Sequence, residues 1–224
     1  MSVLVIIPAA GSGSRFGGPI PKQFQQLGGR PIVQRVVERF VRSGLADRII
    51  VAVAEPLLDV VRQQARDRVQ FVAGGETRQQ SVTNALAAAG GEFEIVAVHD
   101  AVRPFFRIET FRTLLDLARE HGAALPAVPL TDTIHTARDG RLAATVDRSN
   151  LVAAQTPQCF RMEILHDILK RAEQERFDAT DEAGLAARYG YDVRVVAGDP
   201  HNIKITHPED LALAEAHLEE WSEE

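Results

Sequence analysis

Apolar residues in this chain gather in short unbroken runs: "VLVII" (Val3 to Ile7), "IIVAVA" (Ile49 to Ala54), "VQFVA" (Val69 to Ala73), "IVAV" (Ile95 to Val98) and "AALPAV" (Ala123 to Val128). A strand with one wet face alternates apolar and polar positions, so continuous runs rich in Val and Ile predict strands covered on both faces. Helical periodicity fills the gaps between them. Ile32, Val33, Val36, Val37, Phe40 and Val41 fall on one stripe, and so do Ile108, Phe111, Leu114, Leu115 and Ala118. Strand and helix therefore alternate, which predicts an α/β chain with a mostly parallel sheet and helices on both of its faces.

The rhythm breaks between Thr131 and Phe160. "TDTIHTARDGRLAATVDR" has a turn signal at Asp139-Gly140 between two segments of moderate β character, and predicts a hairpin. A lone hairpin with polar flanks is marginal in water, so this one is expected to lean on something else, another subunit included. Beyond it the pattern predicts helices near Arg161 to Gln174 and Thr180 to Tyr189, a strand at Val193 to Val196, and a last helix. "THPED" places Thr206 as N-cap and Glu209 three positions on, the spacing of a capping box.

Composition narrows the class. The 224 residues suffice for one sizeable core, and 25 basic against 31 acidic residues give a formal charge of −6. That balance argues against a general nucleic-acid binder, though a few local cations still suit a small phosphorylated ligand. Cys159 is the single cysteine, which excludes an intrachain disulfide and a cysteine-based zinc site and fits a reducing, cytoplasmic setting. No apolar run approaches the roughly 18 residues of a membrane span. "MSVLVIIPAAG" has no basic stretch ahead of its apolar segment, so it reads as a first strand rather than a signal peptide.

Four polar clusters follow predicted strands or elements, where open parallel sheets bind ligands. In "IIPAAGSGSRFGGPIPKQ" the glycines Gly11, Gly13, Gly17 and Gly18 permit positive φ and close approach, and successive N–H groups there form an anion nest. Arg15 and Lys22 add phosphate-neutralising charge. The spacing fits neither the dinucleotide fingerprint nor the Walker loop, and the favoured reading is a phosphate site over an ordinary glycine-rich loop. "GGETRQQSVTNAL" enters a helix with Thr77 and Gln80 spaced as a capping box, while Gly75 and Ser81 could serve a base edge. "VAVHDAVRP" puts Asp100 just beyond a buried strand. It is read equally as a divalent-metal or ribose ligand, or as an Asp–Arg pair with Arg103 that shapes the turn, and Arg103 as a holder of Asp100 or of an anion. His99 is read as structural. In "HNIKITHPEDL", Lys204 lies in an apolar context where a charge needs a partner. Thr133 and Arg148 flank the predicted hairpin.

Taken in order, "PAAGSGSRF…PKQF", "GGETRQQSV", "VHDAVRP", "VPLTDTI", "TVDRSNL", "QTPQCF", "ATDEA" and "NIKITHPEDL" resemble the 2-C-methyl-D-erythritol 4-phosphate cytidylyltransferase family from end to end. The resemblance implies one Rossmann-like nucleotidyltransferase domain over 1–224, with a protruding β-arm at about 131–157 that builds a homodimer. It implies transfer of CMP from CTP to methylerythritol phosphate, with Mg²⁺ or another divalent cation, in non-mevalonate isoprenoid synthesis. By the same resemblance Arg15, Lys22, Arg148 and Lys204 are the catalytic set. Ala9, Ala10, Gly11, Gly13, Gly75, Ser81 and Asp100 bind the nucleotide, with Asp100 also at the metal. Arg103, Thr133, Arg148 and Thr156 take the second substrate, the arm residues in the neighbouring subunit's site. Two positions depart from the pattern: Val102 where Ala is usual, and His201 where related transferases often carry an acid, with Asp199 the nearest carboxylate. Rival readings are the same chemistry on another polyol phosphate such as ribitol 5-phosphate, and a nucleotide-binding module without catalysis.

Overall fold

The computed structural model describes residues 2–221 except Ser12, Ser14, Arg15, Pro19, Gln64, Arg66 and Asp67. In chain order the first half holds β1 (Val3–Ala9), the two-residue strands β2 (Gln26–Leu27) and β3 (Arg30–Pro31), and α1 (Ile32–Ser43). Then come β4 (Arg48–Val53), the short α2 (Leu58–Arg62), β5 (Val69–Ala73), α3 (Arg78–Ala88), β6 (Ile95–Val98), α4 (Ile108–His121) and β7 (Ala123–Pro129). The second half adds β8 (Ile134–Arg138), β9 (Arg141–Val146), β10 (Val152–Ala154), β11 (Gln158–Arg161), α5 (Met162–Glu175), α6 (Glu182–Arg188), β12 (Val193–Ala197) and α7 (Pro208–Glu220).

Eight strands form the central sheet, and β5, β4, β1 and β6 lie side by side and parallel. Ala123 of β7 pairs with both Phe160 and Val193, and Ala127 with both Ala154 and Ala197. A strand has only two edges, so β12 runs along one edge of β7 while β10 and β11 share the other end to end. The β10–β11 segment is antiparallel to its neighbours, and a cis Thr156-Pro157 bond separates its two halves.

The unbroken apolar runs are explained by burial on two sides. Val3, Val5 and Ile7 pack with Val36 and Phe40 of α1 and with Phe111, Leu114 and Leu115 of α4. Leu4 and Ile6 face the other way, against Val82 of α3, Leu165 and Ile168 of α5, and Leu185 of α6. Each such side chain, fully buried, stabilises the fold by about 1.5–3 kcal/mol. A third cluster joins Leu27, Ile32, Val102, Phe105 and Ile205 to Ala214 of α7. Among the described residues no helix is long and apolar enough to cross a membrane.

The last helix and the predicted arm are bounded differently from the sequence reading, and the helix expected at Thr180 to Tyr189 is the shorter α6. The last helix takes His207 as N-cap, one residue later than Thr206. Pro208 has no N–H to offer and suits the first helical position, and the carboxylate of Asp210, not Glu209, accepts from the N–H groups of Thr206 and His207 at 2.7 and 2.8 Å. Within 131–157, only Ile134 to Val146 stands out as the hairpin β8–β9, while β10 belongs to the central sheet. Asp139 and Gly140 both adopt positive φ, as a tight hairpin turn requires.

Candidate active site

Strand order places the site. The chain runs outward from β1 to β4 and β5, then returns to place β6 on the other flank of β1. The reversal opens a crevice beyond the carboxyl ends of β1 and β6, the position where open α/β sheets bind ligands. A cavity of about 300 Å³ lies there.

Its walls come from four segments. Ala9, Ala10, Gly11 and Gly13 continue β1; Lys22 and Gln23 follow in a short 3-10 turn; Gly75, Thr77, Arg78 and Ser81 continue β5 into α3; Asp100 and Val102 follow β6, with Lys204 across from them. A Cβ on Gly13, whose φ is +68°, would lie 3.2 Å from Lys22 Cγ and 3.2 Å from its N. Glycine there lets the loop close against Lys22. At Gly74 a Cβ would meet the Ala10 methyl at 2.4 Å, so the two loops touch.

The second loop is fixed by local hydrogen bonds. Thr77 caps α3 by accepting from Gln80 N–H at 3.1 Å, and Gln80 Oε1 accepts from Glu76 N–H at 2.9 Å, a capping box displaced by one residue. The Ser81 hydroxyl accepts from Gly75 N–H at 3.0 Å and donates to Thr77 O at 2.9 Å. Ser81 thus shapes the loop that carries Gly75 as well as lining the cavity.

Asp100 is the electrostatic centre. Its Oδ2 lies 3.0 Å from Lys204 Nζ and 3.1 Å from Arg103 Nε, and its Oδ1 is 3.5 Å from Arg78 Nε. Burial alone would raise its pKa. The charges of Arg78, Lys204 and Arg103 outweigh that and hold the carboxyl well below the usual range. The structure forms the Asp–Arg pair of the sequence reading, and the partner that Lys204 needed is Asp100.

His99 and Thr156 form the support beneath. Arg103 O can only accept, so His99 Nε2 carries the proton (3.0 Å) and Nδ1 accepts from the Thr156 hydroxyl (3.0 Å). The same hydroxyl accepts from Asp100 N–H at 3.0 Å. Burial drives the His99 pKa down to about 3, so the ring is neutral and structural.

Of the remaining described candidates, Arg103, Thr133, Arg148, Thr156 and Asp199 do not line the cavity. Arg103 is buried and also donates to Asn202 O at 2.7 Å, so its hydrogen bonds hold Asp100 and the Asn202 loop. Thr156 is buried under Asp100 rather than lining the cavity. Thr133 and Arg148 are exposed at the base of the hairpin, where Arg148 Nη1 donates to Leu130 O and Asp132 O at 3.1 Å. Arg15 lies outside the described residues. Asp199 pairs with Arg107 and accepts from His201 Nδ1 at 3.0 Å, away from the cavity lining. Val102 packs with Phe105 and Ile205 at the cavity's edge.

Arg78 and Gln23 are wall residues that the sequence reading missed. Arg78 hid inside a helix-start motif, and its partner Glu182 lies 104 positions away, beyond any spacing argument. Gln23 sits between a cation and a Phe with no periodic signal. Its amide donates to Ala9 O at 2.6 Å and Gly11 O at 3.0 Å.

Among the described residues no three His, Cys, Asp or Glu side chains gather to hold a metal ion. The cavity lining has two carboxylates, Asp100 amid cations and Glu76, so a hard divalent ion bound there would need most of its oxygen ligands from elsewhere.

Comparison with known proteins gives the family and supports the fold. The family profile described as IspD, 2-C-methyl-D-erythritol 4-phosphate cytidylyltransferase, matches residues 3–220. A 2-C-methyl-D-erythritol 4-phosphate cytidylyltransferase of Geobacter metallireducens is 44% identical, over 98% of this chain and 99% of its own. One of Geobacillus kaustophilus is 43% identical, over 97% of each. The crystal structure of the Francisella tularensis enzyme superposes with TM-score 0.86 at 31% identity, covering 96% of this chain and 99% of that one. The Thermus thermophilus structure gives 0.81 at 34%, covering 98% and 100%. Matched nearly end to end, the chain belongs to the 2-C-methyl-D-erythritol 4-phosphate cytidylyltransferase family.

Proposed function

We propose that the protein transfers CMP from CTP to 2-C-methyl-D-erythritol 4-phosphate and releases pyrophosphate. The observation that carries this is the cavity at the strand-order reversal, lined by glycine loops and Lys22, with Arg78, Arg103 and Lys204 around Asp100. Backbone groups of Ala9, Ala10, Gly11 and Gly75 suit a cytidine, and Lys22 and Arg15 its triphosphate. Lys204, with Arg103 and Thr156 behind it, suits the acceptor phosphate.

The chemistry asks for position and charge rather than a base. The acceptor's phosphate oxygen attacks the α-phosphorus in line, and pyrophosphate leaves. That nucleophile is already an anion near neutrality, since a phosphate monoester's second pKa is about 6. Two anions must be brought together while charge spreads over the transferring group, which cations held on a rigid frame accomplish. Asp100 would hold Mg²⁺ together with the nucleotide phosphates, and the bound ion would neutralise part of their charge.

The hairpin belongs to the same reading. Its strands pair only with each other and Leu142 is exposed, as are Leu151 and Val152 at its foot. A second copy covering these side chains would bring Thr133 and Arg148 to its partner's cavity, in a homodimer working in the cytoplasm. The test is pyrophosphate release from CTP and Mg²⁺ with methylerythritol phosphate, ribitol 5-phosphate or no acceptor. Release with the first alone supports the proposal, and release with the second alone transfers it to another polyol phosphate. Silence with all three despite tight CTP binding identifies a binding module.

A further inference from the structure

Gln23 is buried on the turn Lys22–Phe24, which closes through Phe24 N–H to Pro21 O at 2.9 Å and Gln25 N–H to Lys22 O at 3.1 Å. Carbonyl oxygens only accept, so the contacts to Ala9 O and Gly11 O fix the amide with its nitrogen toward both. In a trans peptide the N–H points opposite the C=O. Holding Ala9 O therefore turns the Ala10 N–H away from Gln23, and Ala10 lines the cavity. Gly13 closes against Lys22 from the other side. The loop after β1 and the turn bearing Lys22 are thus clasped at three points, two of them made by one carboxamide.

We infer that Gln23 is a positioning residue that sets Lys22 at a fixed distance from the main chain of Ala9 to Gly11, and so holds a nucleotide's base and phosphates in register. This rests on the transferase reading above. Asn84 makes a comparable bond on the facing wall, donating to Gly74 O at 3.1 Å, on a loop that does not carry Lys22.

A double-mutant cycle separates positioning from simple support, because residues that act through one another are non-additive. Gln23→Met keeps the length of the side chain and removes the donor. It is expected to lower kcat about tenfold, the scale of one or two buried hydrogen bonds. In a Lys22→Ala background the same change is expected to cost less than about threefold, whereas Asn84→Ala with Lys22→Ala is expected to be additive. Thermal melts accompany each variant. If Gln23→Met melts below the assay temperature, Gln23→Glu, closer in shape, repeats the cycle. An additive Gln23–Lys22 cycle, an unchanged kcat, or failure of both variants to fold would overturn the inference. Inactivity of the unaltered protein with every acceptor would instead sink the transferase reading, so the two failures are distinguishable.

Discussion

Arg78 Nη1 donates to both carboxylate oxygens of Glu182, at 2.7 and 2.6 Å, and so fastens the first residue of α3 to the first residue of α6. Glu182 is 2% exposed, and the same guanidinium reaches Asp100 through Nε. Burial would lower the Arg78 pKa, but Glu182 and Asp100 together raise it above its ordinary value. Removing one member of a buried pair leaves the other charged and unmatched, which costs about 3–5 kcal/mol. Arg78→Met is therefore expected to lose stability on that scale in urea unfolding. Glu182→Gln keeps a hydrogen-bond acceptor, and the Arg78 charge retains Asp100 at 3.5 Å, so its loss should be smaller. Equal losses would show that packing at α6, not charge, sets the cost.

His99 makes stability depend on pH in a definite window. Its folded pKa of about 3 lies below the ordinary value of 6.5, so below 6.5 the unfolded chain binds a proton the folded one refuses. Stability must fall as pH drops from about 6.5 toward about 3, with a slope approaching 1.4 kcal/mol per pH unit from this one group. Asp100 acts lower: its depressed pKa contributes stability that is complete above the usual carboxylate range and lost only in stronger acid. Urea midpoints of the parent and of His99→Gln, compared from pH 7 to pH 4, isolate the His99 share. Parallel pH profiles for the two proteins would assign the acid sensitivity elsewhere.

The strands were legible because each buried run carries its own signal: "VQFVA" and "IVAV" coincide with β5 and β6 residue for residue. Glycine loops at strand ends were legible for the same local reason. What stayed hidden depends on distance in sequence. No spacing rule links Arg78 to Glu182, or Gln23 to the carbonyls of Ala9 and Gly11, since those contacts exist only after the sheet forms. Lys204 shows the intermediate case, where an apolar setting announced the need for a partner and only the fold named Asp100. The N-cap of α7 slipped by one residue because two acids, Glu209 and Asp210, both lie near capping distance and Pro208 decides between them.

Lys22 lines the cavity on a turn closed by backbone hydrogen bonds that do not use its side chain, and its charge is only a minor contributor at Asp210. Lys22→Ala is expected to melt like the parent and to lose about 100- to 1000-fold in kcat, the range for one well-placed stabilising group. A loss confined to KM for CTP would make Lys22 a ground-state phosphate contact. Near-normal turnover would remove it from the mechanism.

Arg148 gives the sharpest test of how many chains build a site. Its guanidinium holds Leu130 O and Asp132 O at the foot of a largely exposed hairpin, and it is not among the residues that line the cavity with Lys22. If a partner's hairpin completes each cavity, Arg148→Ala and Lys22→Ala damage different chains of one site. Mixing the two inactive variants and allowing subunits to exchange would then form hybrids in which one of two sites has both residues intact. Activity should rise from the background of either variant to about a quarter of the parent's for statistical mixing, half the dimers being hybrids with one sound site each. Exchange is verified independently with two differently tagged chains. Exchange without recovery would mean that a single chain supplies both residues, and the exposed hairpin would need another partner.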